Sequence, residues 1–134
     1  MIVVDTNLIV HFFVKGDQSE LAGKILVMDP GWSAPLLWRS EFRNTLVKCV
    51  RGELLEWSDT FRIMNEAESL LAGNEYAVVS GDVLSIAASS ACSAYDAEFV
   101  VLARELGVPL VTSDKQLLKS FPETAVSPAR FMAR

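Results

Sequence analysis

Few residues in this chain are suited to thiol, zinc or Ser-His-Asp chemistry. Its 134 residues include two cysteines and one histidine. Cys49 and Cys92 have no CxxC spacing, so we expect buried, reduced thiols rather than a disulfide or a zinc site. His11 lies in the apolar stretch NLIVHFF and has no second histidine, which predicts a packing or surface role. These shortages exclude the common zinc and triad hydrolases.

Long hydrophobic runs are also absent. The longest uncharged segment, Val83 to Tyr95, is too short and too rich in serine to cross a bilayer. The first residues lack the basic segment and the apolar stretch of a signal peptide. We therefore expect a cytoplasmic protein that does not associate with membranes.

Positive charge is scarce as well. Lysine and arginine total 12 against 17 aspartate and glutamate residues, which gives a net charge of −5. A broad basic surface that grips nucleic acid is therefore excluded. Any contact with nucleic acid must rely on a local group of basic side chains.

Apolar residues, by contrast, are plentiful. At 51% hydrophobic and 22% charged, the chain has enough material for a well-buried core and is far from the composition of a disordered protein. Its length is that of one ordinary domain. We therefore predict a single domain over residues 1–134.

Strand and helix signals alternate along the chain, as in an α/β protein built on a parallel sheet. Apolar runs such as AVV and PLVT favour strands that helices cover on both faces. The predicted strands are Ile2 to Asp5, Trp32 to Ala34, Tyr76 to Val79, Leu110 to Thr112 and Ala125 to Val126. The predicted helices between them are Leu36 to Arg51, Ser58 to Ala72, Asp82 to Cys92 and Ala94 to Leu106.

Two acids, Asp5 and Asp114, lie at the ends of predicted strands. Ligands of an open parallel sheet bind outside the carboxyl ends of its strands, so these acids are candidate site residues. Both also have a structural explanation. Asp5 can cap a helix that begins at Thr6, and Asp114 lies in a capping box formed by Ser113 and Gln116. Either interpretation remains open for these two acids considered alone.

Two further acids fall on predicted helices. Asp96 forms a capping signature with Ser93 at the start of a helix that is apolar almost all round, which predicts a buried position. Glu41 lies inside a helix, where it caps nothing, and it borders the apolar stripe of that helix. A solvent-exposed glutamate is the simple alternative for Glu41.

Convergence of these carboxylates would need a compensating charge. Two carboxylates about 4 Å apart repel by about 4 kcal/mol at an effective dielectric constant of about 20. A cluster of four must therefore be protonated or bridged by cations. Oxygen ligands without histidine or cysteine select Mg²⁺ or Mn²⁺, ions that activate water and stabilise charge on a phosphoryl group. The chemistry indicated is phosphodiester hydrolysis.

Four sequence motifs resemble those of the PIN-domain ribonucleases. VVDTN, SEFRN, SAYDAEFVVLA and LVTSDKQL are similar to the four acidic motifs of that family, in order and over nearly the whole chain. The compact length is similar to that of the VapC toxins of bacterial and archaeal toxin–antitoxin pairs. The resemblance implies a three-layer α/β/α sandwich with a five-stranded parallel sheet of order 3-2-1-4-5. It also implies a metal-dependent endoribonuclease that cuts RNA as a homodimer and is paired with a VapB-like antitoxin.

The resemblance further assigns roles to individual residues. It implies that Mg²⁺ or Mn²⁺ is held, and catalysis carried out, by Asp5, Glu41, Asp96 and Asp114. It implies polar supports and close neighbours of these acids at Thr6, Asn7, Asn44, and Thr112 or Ser113.

Basic side chains near the predicted site would form a rim that positions RNA phosphates. A solvated charged face is the alternative interpretation. The residues concerned are Arg39, Arg43, Lys48, Arg51, Lys115 and Lys119. The three tryptophans, Trp32, Trp38 and Trp57, are more typical of a core or an interface than of platforms for stacking bases.

Three other functions compete with this interpretation. A phosphatase of the haloacid dehalogenase type also begins with a strand that ends in Asp, but it requires a second Asp where this chain has Asn7. A phospho-accepting receiver domain has a similar length, but its first strand ends in an acid pair that is missing here. A PIN fold that only binds RNA or a partner protein would keep every motif.

Overall fold

The computed structural model describes residues 1–134 as five strands and eight helices. The strands are β1 (Ile2–Val4), β2 (Trp32–Pro35), β3 (Glu75–Tyr76), β4 (Leu110–Val111) and β5 (Ala125–Val126). The helices are α1 (Thr6–Phe13), α2 (Ser19–Met28), α3 (Trp38–Arg51), α4 (Trp57–Leu70), α5 (Ser80–Ala88), α6 (Ala94–Leu106), α7 (Lys115–Ser120) and α8 (Pro128–Met132). None of the helices combines the length and the hydropathy that a membrane span requires.

The five strands form one parallel sheet in the order β3-β2-β1-β4-β5. β1 is central, because Val3 pairs with Ser33 of β2 on one side and with Leu110 of β4 on the other. The chain runs outward from β1 to β3 and then returns to β4 on the opposite side of β1. The order of the strands therefore reverses next to β1, which is where open sheets of this kind bind ligands. The predicted strand order is confirmed.

Helices cover both faces of this sheet. Right-handed crossovers place α1 to α4 on one face and α5 and α6 on the other, where α6 packs on β1, β2 and β4. The main core contains 26 buried residues, and every residue of β1 is among them. Trp32 and Trp38 also belong to this core, whereas Trp57 is 61% exposed. Both cysteines are buried and unpaired, as predicted.

The predicted bounds of four strands needed correction, and β2 extends one residue beyond its predicted end, to Pro35. β1 ends at Val4 because Asp5 leaves the sheet to cap α1. β3 covers Glu75–Tyr76 instead of Tyr76 to Val79, since it pairs only with the end of β2 and the residues after Tyr76 lead into α5. β4 ends at Val111, one residue before its predicted end, and β5 has its predicted bounds.

Among the helices, only α6 has its predicted bounds. α3 begins two residues later than predicted and α4 one residue earlier, while α5 starts at Ser80 and stops at Ala88. α5 ends there because the hydroxyl groups of the following serines bond to carbonyls of its last turn. Neither α2 nor the short helix α8 was predicted, although Ser127 before Pro128 is a typical helix start.

Candidate active site

A cavity of about 210 Å³ opens at the carboxyl edge of the sheet. Four acids line it, each contributed by a different part of the fold. Asp5 follows β1, and Asp114 immediately precedes α7. Glu41 and Asp96 lie in the first turns of α3 and α6, respectively. The structure therefore brings the four predicted site acids together at one place.

Asp5 combines the capping role with a position in the cavity. One carboxylate oxygen accepts the backbone N–H of Leu8 at 2.8 Å, and the other accepts the hydroxyl of Thr112 at 2.6 Å. Burial raises the pKa of Asp5, while the hydrogen bonds from Thr112, Leu8 and the backbone of Ser113 oppose that rise. An ionised carboxylate accepts about four hydrogen bonds, so Asp5, which accepts three, keeps capacity for one ligand in the cavity.

Glu41 is half-buried and is not the exposed helix residue of the simpler interpretation. Its carboxylate accepts the hydroxyl of Thr6 at 2.7 Å, which joins α3 to the start of α1. Burial raises the pKa of Glu41, and the negative charges of Asp96, Asp5 and Glu98 raise it further, against the hydrogen bond from Thr6. Charges that influence one another in this way belong to one electrostatic cluster.

Asp96 and Asp114 complete the cavity from the starts of two helices. The backbone N–H of Asp96 donates to the Ser93 hydroxyl at 3.1 Å, so Ser93 is the cap of α6 and the Asp96 carboxylate is not needed for capping. Asp114 caps α7 by accepting the backbone N–H of Leu117 at 3.0 Å. Burial raises the pKa of Asp96, and the negative charge of Asp114 adds to that rise.

The supporting residues predicted from the sequence occupy different positions. Thr6, Asn7 and Asn44 line the cavity with the acids. Thr112 is fully buried beneath it, where its hydroxyl donates to Asp5 and accepts the backbone N–H of Asp114 at 3.0 Å. Thr112, rather than the side chain of Ser113, therefore holds two of the four acids in place.

The basic residues of the predicted rim divide into two groups. The exposed members are Arg43, Lys48, Arg51, Lys115 and Lys119, and none of them lines the cavity itself. The guanidinium of Arg39 instead bonds to Glu75 and Glu68. Arg39 therefore belongs to an ion-pair network, and we no longer assign it to a rim for RNA.

Several residues near the cavity were missed by the sequence analysis. Thr45, Phe99 and Leu117 line it, and the last two provide its apolar wall. Glu98 is half-buried two residues beyond Asp96, and its pKa is raised by burial. Helical spacing gave a signal for Thr45, which lies one turn after Glu41 and donates to its backbone carbonyl at 3.0 Å.

The donor chemistry of the cavity suits Mg²⁺ or Mn²⁺, because every candidate ligand is an oxygen atom. As they stand, no three His, Cys, Asp or Glu side chains are grouped so that they could hold a metal ion. Mg²⁺ in proteins commonly uses one or two carboxylates and keeps several waters, so a closed cage of acids is not required. The residues present therefore fit a hydrated divalent ion.

The raised pKa values predict that the metal-free protein gains stability as the pH falls through those values towards the ordinary pKa values of these acids. Asp5, Glu41 and Asp96 have folded-state pKa values above their ordinary values of 3.8, 4.5 and 3.8. Between the raised and the ordinary pKa, the folded state binds more protons than the unfolded state, so lowering the pH favours folding. Stability is lost again as the pH rises through the raised values.

Thermal melts in EDTA at several pH values test this expectation. The Glu41→Gln variant should gain less than the parent, because it lacks one of the titrating groups. Glu75 and Glu123, whose pKa values are lowered, act in the opposite sense only below their ordinary value of 4.5. A parent that loses stability steadily as the pH falls from neutral towards the ordinary pKa values of Asp5, Glu41 and Asp96 contradicts the expectation.

The fold and the cavity together define an α/β protein with a parallel sheet and an acidic, oxygen-lined site at its carboxyl edge. The PIN domain profile matches residues 2–123. Ribonuclease VapC3 of Pyrobaculum aerophilum is 30% identical over 124 residues, which cover 90% of this chain and 95% of that protein. The chain belongs to the PIN domain family.

Solved structures share this fold along their whole length. The crystal structure of PAE2754 from Pyrobaculum aerophilum superposes with a TM-score of 0.75 at 21% identity, covering 98% of this chain and 96% of that one. A chain of a toxin–antitoxin complex from Klebsiella pneumoniae gives a TM-score of 0.70 at 15% identity, with 96% and 98% covered. These likenesses establish the architecture.

Proposed function

We propose that this protein is a metal-dependent endoribonuclease that hydrolyses RNA phosphodiester bonds as the toxin of a VapBC-type pair. The observation that carries the proposal is the meeting of four carboxylates from four separate elements in one cavity. Membership of the PIN family and the similarity to Ribonuclease VapC3 support the ribonuclease assignment. Catalysis is assigned to Asp5, Glu41, Asp96 and Asp114.

The chain's own residues hold these acids ready for a hydrated ion. Thr112 and Thr6 donate hydroxyl hydrogen bonds that orient Asp5 and Glu41, respectively. When bound, Mg²⁺ or Mn²⁺ supplies a water of lowered pKa and positive charge near the phosphoryl oxygens. Phe99 and Leu117 exclude bulk water from one side of the cavity, which strengthens electrostatic interactions within it.

RNA must approach this acidic centre along its basic surroundings. The exposed side chains of Arg43, Lys48 and Lys115 are the proposed contacts to phosphates. Because the chain carries a net charge of −5, binding should depend on these few contacts and weaken steeply with salt. We place the reaction in the cytoplasm, where unpaired thiols such as Cys49 and Cys92 remain reduced.

The proposed partners are a VapB-like antitoxin and a second copy of the chain. An acidic cavity that attracts divalent ions also suits an arginine or lysine side chain of an inhibitor, which would compete with the metal. A chain of similar fold occurs in a toxin–antitoxin complex, which supports an antitoxin partner. Exposed apolar side chains beside the edge strand β3, among them Leu36 and Leu84, support self-association.

A PIN domain that binds RNA without cutting it is the second candidate. It is favoured by one observation, the absence of a group of three acids placed to hold a metal. A single experiment separates the two candidates. Purified protein is incubated with labelled single-stranded RNA and with matched single-stranded DNA, in Mn²⁺ or in EDTA.

The nuclease should cut the RNA internally in Mn²⁺ and stop in EDTA, because the carboxylates alone cannot activate water. The matched DNA tests the assignment to RNA in the same reaction. RNA that is bound but intact in Mn²⁺ supports the binding module instead. Equal cleavage in EDTA contradicts metal dependence.

A further inference from the structure

Glu75, which no sequence motif singles out, is the centre of a network of charged hydrogen bonds. Its carboxylate accepts the indole N–H of Trp38 at 2.7 Å and two guanidinium N–H groups of Arg39 at 2.6 and 2.7 Å. The remaining side of the Arg39 guanidinium bonds to Glu68 of α4. The network therefore joins the edge strand β3, the first turn of α3 and the helix α4.

The geometry of this network is that of a rigid connection. The two parallel bonds between Arg39 and Glu75 form the bidentate arrangement that fixes both partners in orientation. The Glu75 side chain is 14% exposed and Trp38 is fully buried. The ring centroids of Trp38 and Phe42 lie 5.5 Å apart. The hydrogen bonds that Glu75 accepts from Arg39 and Trp38 lower its pKa.

No capping side chain holds the start of α3. Its N-cap residue is Leu37, and no side-chain hydrogen bond caps the helix. The free backbone N–H groups of a helix start are normally satisfied by a capping side chain, which also fixes where the helix begins. Here Trp38 and Arg39, the first two residues of α3, are fixed through their side chains to Glu75.

Glu41 follows two residues after Arg39 in the same helical turn. Its backbone N–H donates to the carbonyl of Leu37, and its carboxylate meets Thr6 across the cavity. A shift of the uncapped helix start would therefore move this carboxylate relative to Asp5 and Asp96. Misplacement of a reacting group by about 1 Å is enough to lower a rate strongly.

We propose that Glu75, acting through Arg39 and Trp38, is a positioning residue that fixes the start of α3 and so places the Glu41 carboxylate in the active-site cavity. This inference rests on the proposed nuclease function. Because it concerns the position of Glu41, it can also be tested without RNA. In this proposal Arg39 helps to place the Glu41 carboxylate through its bonds to Glu75 and makes no contact with the substrate.

The test compares Glu75→Gln with two controls. Gln keeps the size of the side chain and one acceptor oxygen, but it removes the charge that binds Arg39. Glu123→Gln breaks the exposed ion pair with Arg104, at 2.8 Å, away from the cavity. Phe131→Leu loosens the packing of a buried side chain of α8 and so lowers the melting temperature without touching the network.

Three quantities are measured on each protein: amide hydrogen exchange at residues 38–42, Mn²⁺ affinity by titration calorimetry, and kcat and KM on a labelled RNA. For Glu75→Gln we expect exchange at α3 to rise, and Mn²⁺ affinity and kcat to fall about tenfold each, with KM unchanged. Both controls should keep the parental values of all three quantities. A fall in kcat at constant KM is the effect that a lost substrate contact would not produce.

Other outcomes overturn the proposal. Parental exchange and Mn²⁺ affinity in Glu75→Gln mean that Glu75 does not hold the helix start. Faster exchange with parental Mn²⁺ affinity and kcat means that the network only stabilises the fold. A raised KM at constant kcat means that Arg39 contacts RNA. If the parent cuts no RNA while exchange and Mn²⁺ affinity change as expected, the proposed function fails and the positioning role stands.

Discussion

The Glu41→Gln variant should cleave RNA more than about a hundredfold more slowly than the parent. Substitution of residues that only orient metal ligands typically lowers metal affinity or activity about 10-fold to 100-fold, so loss of a ligand charge itself should lower the cleavage rate further. The variant should fold normally, because Gln retains the oxygen that accepts the Thr6 hydroxyl. Glu41 caps no helix, and as an acid in the first turn of α3 its charge contributes only about 0.3–1 kcal/mol to the helix. Steady-state cleavage of a labelled RNA in Mn²⁺ provides the measurement.

Asp5→Asn should show the same loss. An Asn oxygen can accept the backbone N–H of Leu8, and its amide can donate to the hydroxyl oxygen of Thr112. Asn is as good a helix cap as Asp, so the start of α1 should survive. The variant therefore separates the two roles that the sequence left open for Asp5.

An exposed acid outside the cavity provides the control for both variants. Glu66→Gln removes one acid from the surface of α4, so it changes the net charge by the same amount as Glu41→Gln. Its cleavage rate should stay close to that of the parent. Parental rates in the Glu41 and Asp5 variants, with circular dichroism unchanged, would leave these acids as structural residues only.

The positions of three of the four site acids were predictable, because nearby strand ends and helix caps determine them. Asp5 and Asp114 follow strands, and parallel strands deliver the residues after them to one edge of the sheet. Asp96 lies in the first turn of a helix whose bounds are also clear from the sequence, since Ser93 caps its start and Gly107, at φ 68°, caps its end. Glu41 needed the family resemblance, because one glutamate on an amphipathic helix has no distinctive spacing.

The parts that sequence reasoning missed depend on contacts between distant residues. Glu75 lies 36 positions from Arg39, and the choice between Thr112 and Ser113 depends on a hydrogen bond to Asp5, 107 positions away from Thr112. Charge and helical position gave Arg39 the appearance of a free surface residue, and only the placement of β3 beside α3 brings Glu75 within reach. The ends of β3 were misplaced for a similar reason, since an edge strand stops where its neighbour stops.

Mn²⁺ should raise the melting temperature of the parent by several degrees at neutral pH. A ligand at about a hundred times its dissociation constant adds about 2.7 kcal/mol to the free energy of unfolding, which corresponds to several degrees for a domain of this size. Without metal, burial disfavours the charged forms of Asp5, Glu41 and Asp96, and repulsion by neighbouring acids adds to this at Glu41 and Asp96. The bound ion relieves that cost in the folded state only.

Asp96→Asn should differ from the parent both in its melting temperature in EDTA and in the size of its Mn²⁺ shift. It removes one of the mutually repelling charges, so in EDTA it should melt at or above the temperature of the parent. Its Mn²⁺ shift should be much smaller, because one ligand of the ion is weakened. Ser93 still caps α6 in this variant, since the cap accepts the backbone N–H of residue 96.

The matched control is Asp59→Asn, which changes an acid in the first turn of α4 outside the cavity. A first-turn acid that only supports its helix contributes about 0.3–1 kcal/mol, so this variant should melt slightly below the parent in EDTA and keep the full Mn²⁺ shift. The comparison separates repulsion among the acids of the cavity from the ordinary value of an acid at a helix start.

Thermal melts of these three proteins in EDTA and in Mn²⁺ test most directly whether the four acids form one divalent-ion site. The prediction is a parent stabilised by Mn²⁺, an Asp96→Asn variant at least as stable as the parent in EDTA but little affected by Mn²⁺, and an Asp59→Asn variant that keeps the parental shift. A parent indifferent to Mn²⁺, together with an Asp96→Asn variant destabilised in EDTA, would contradict the assignment and leave four acids that serve only their own helices.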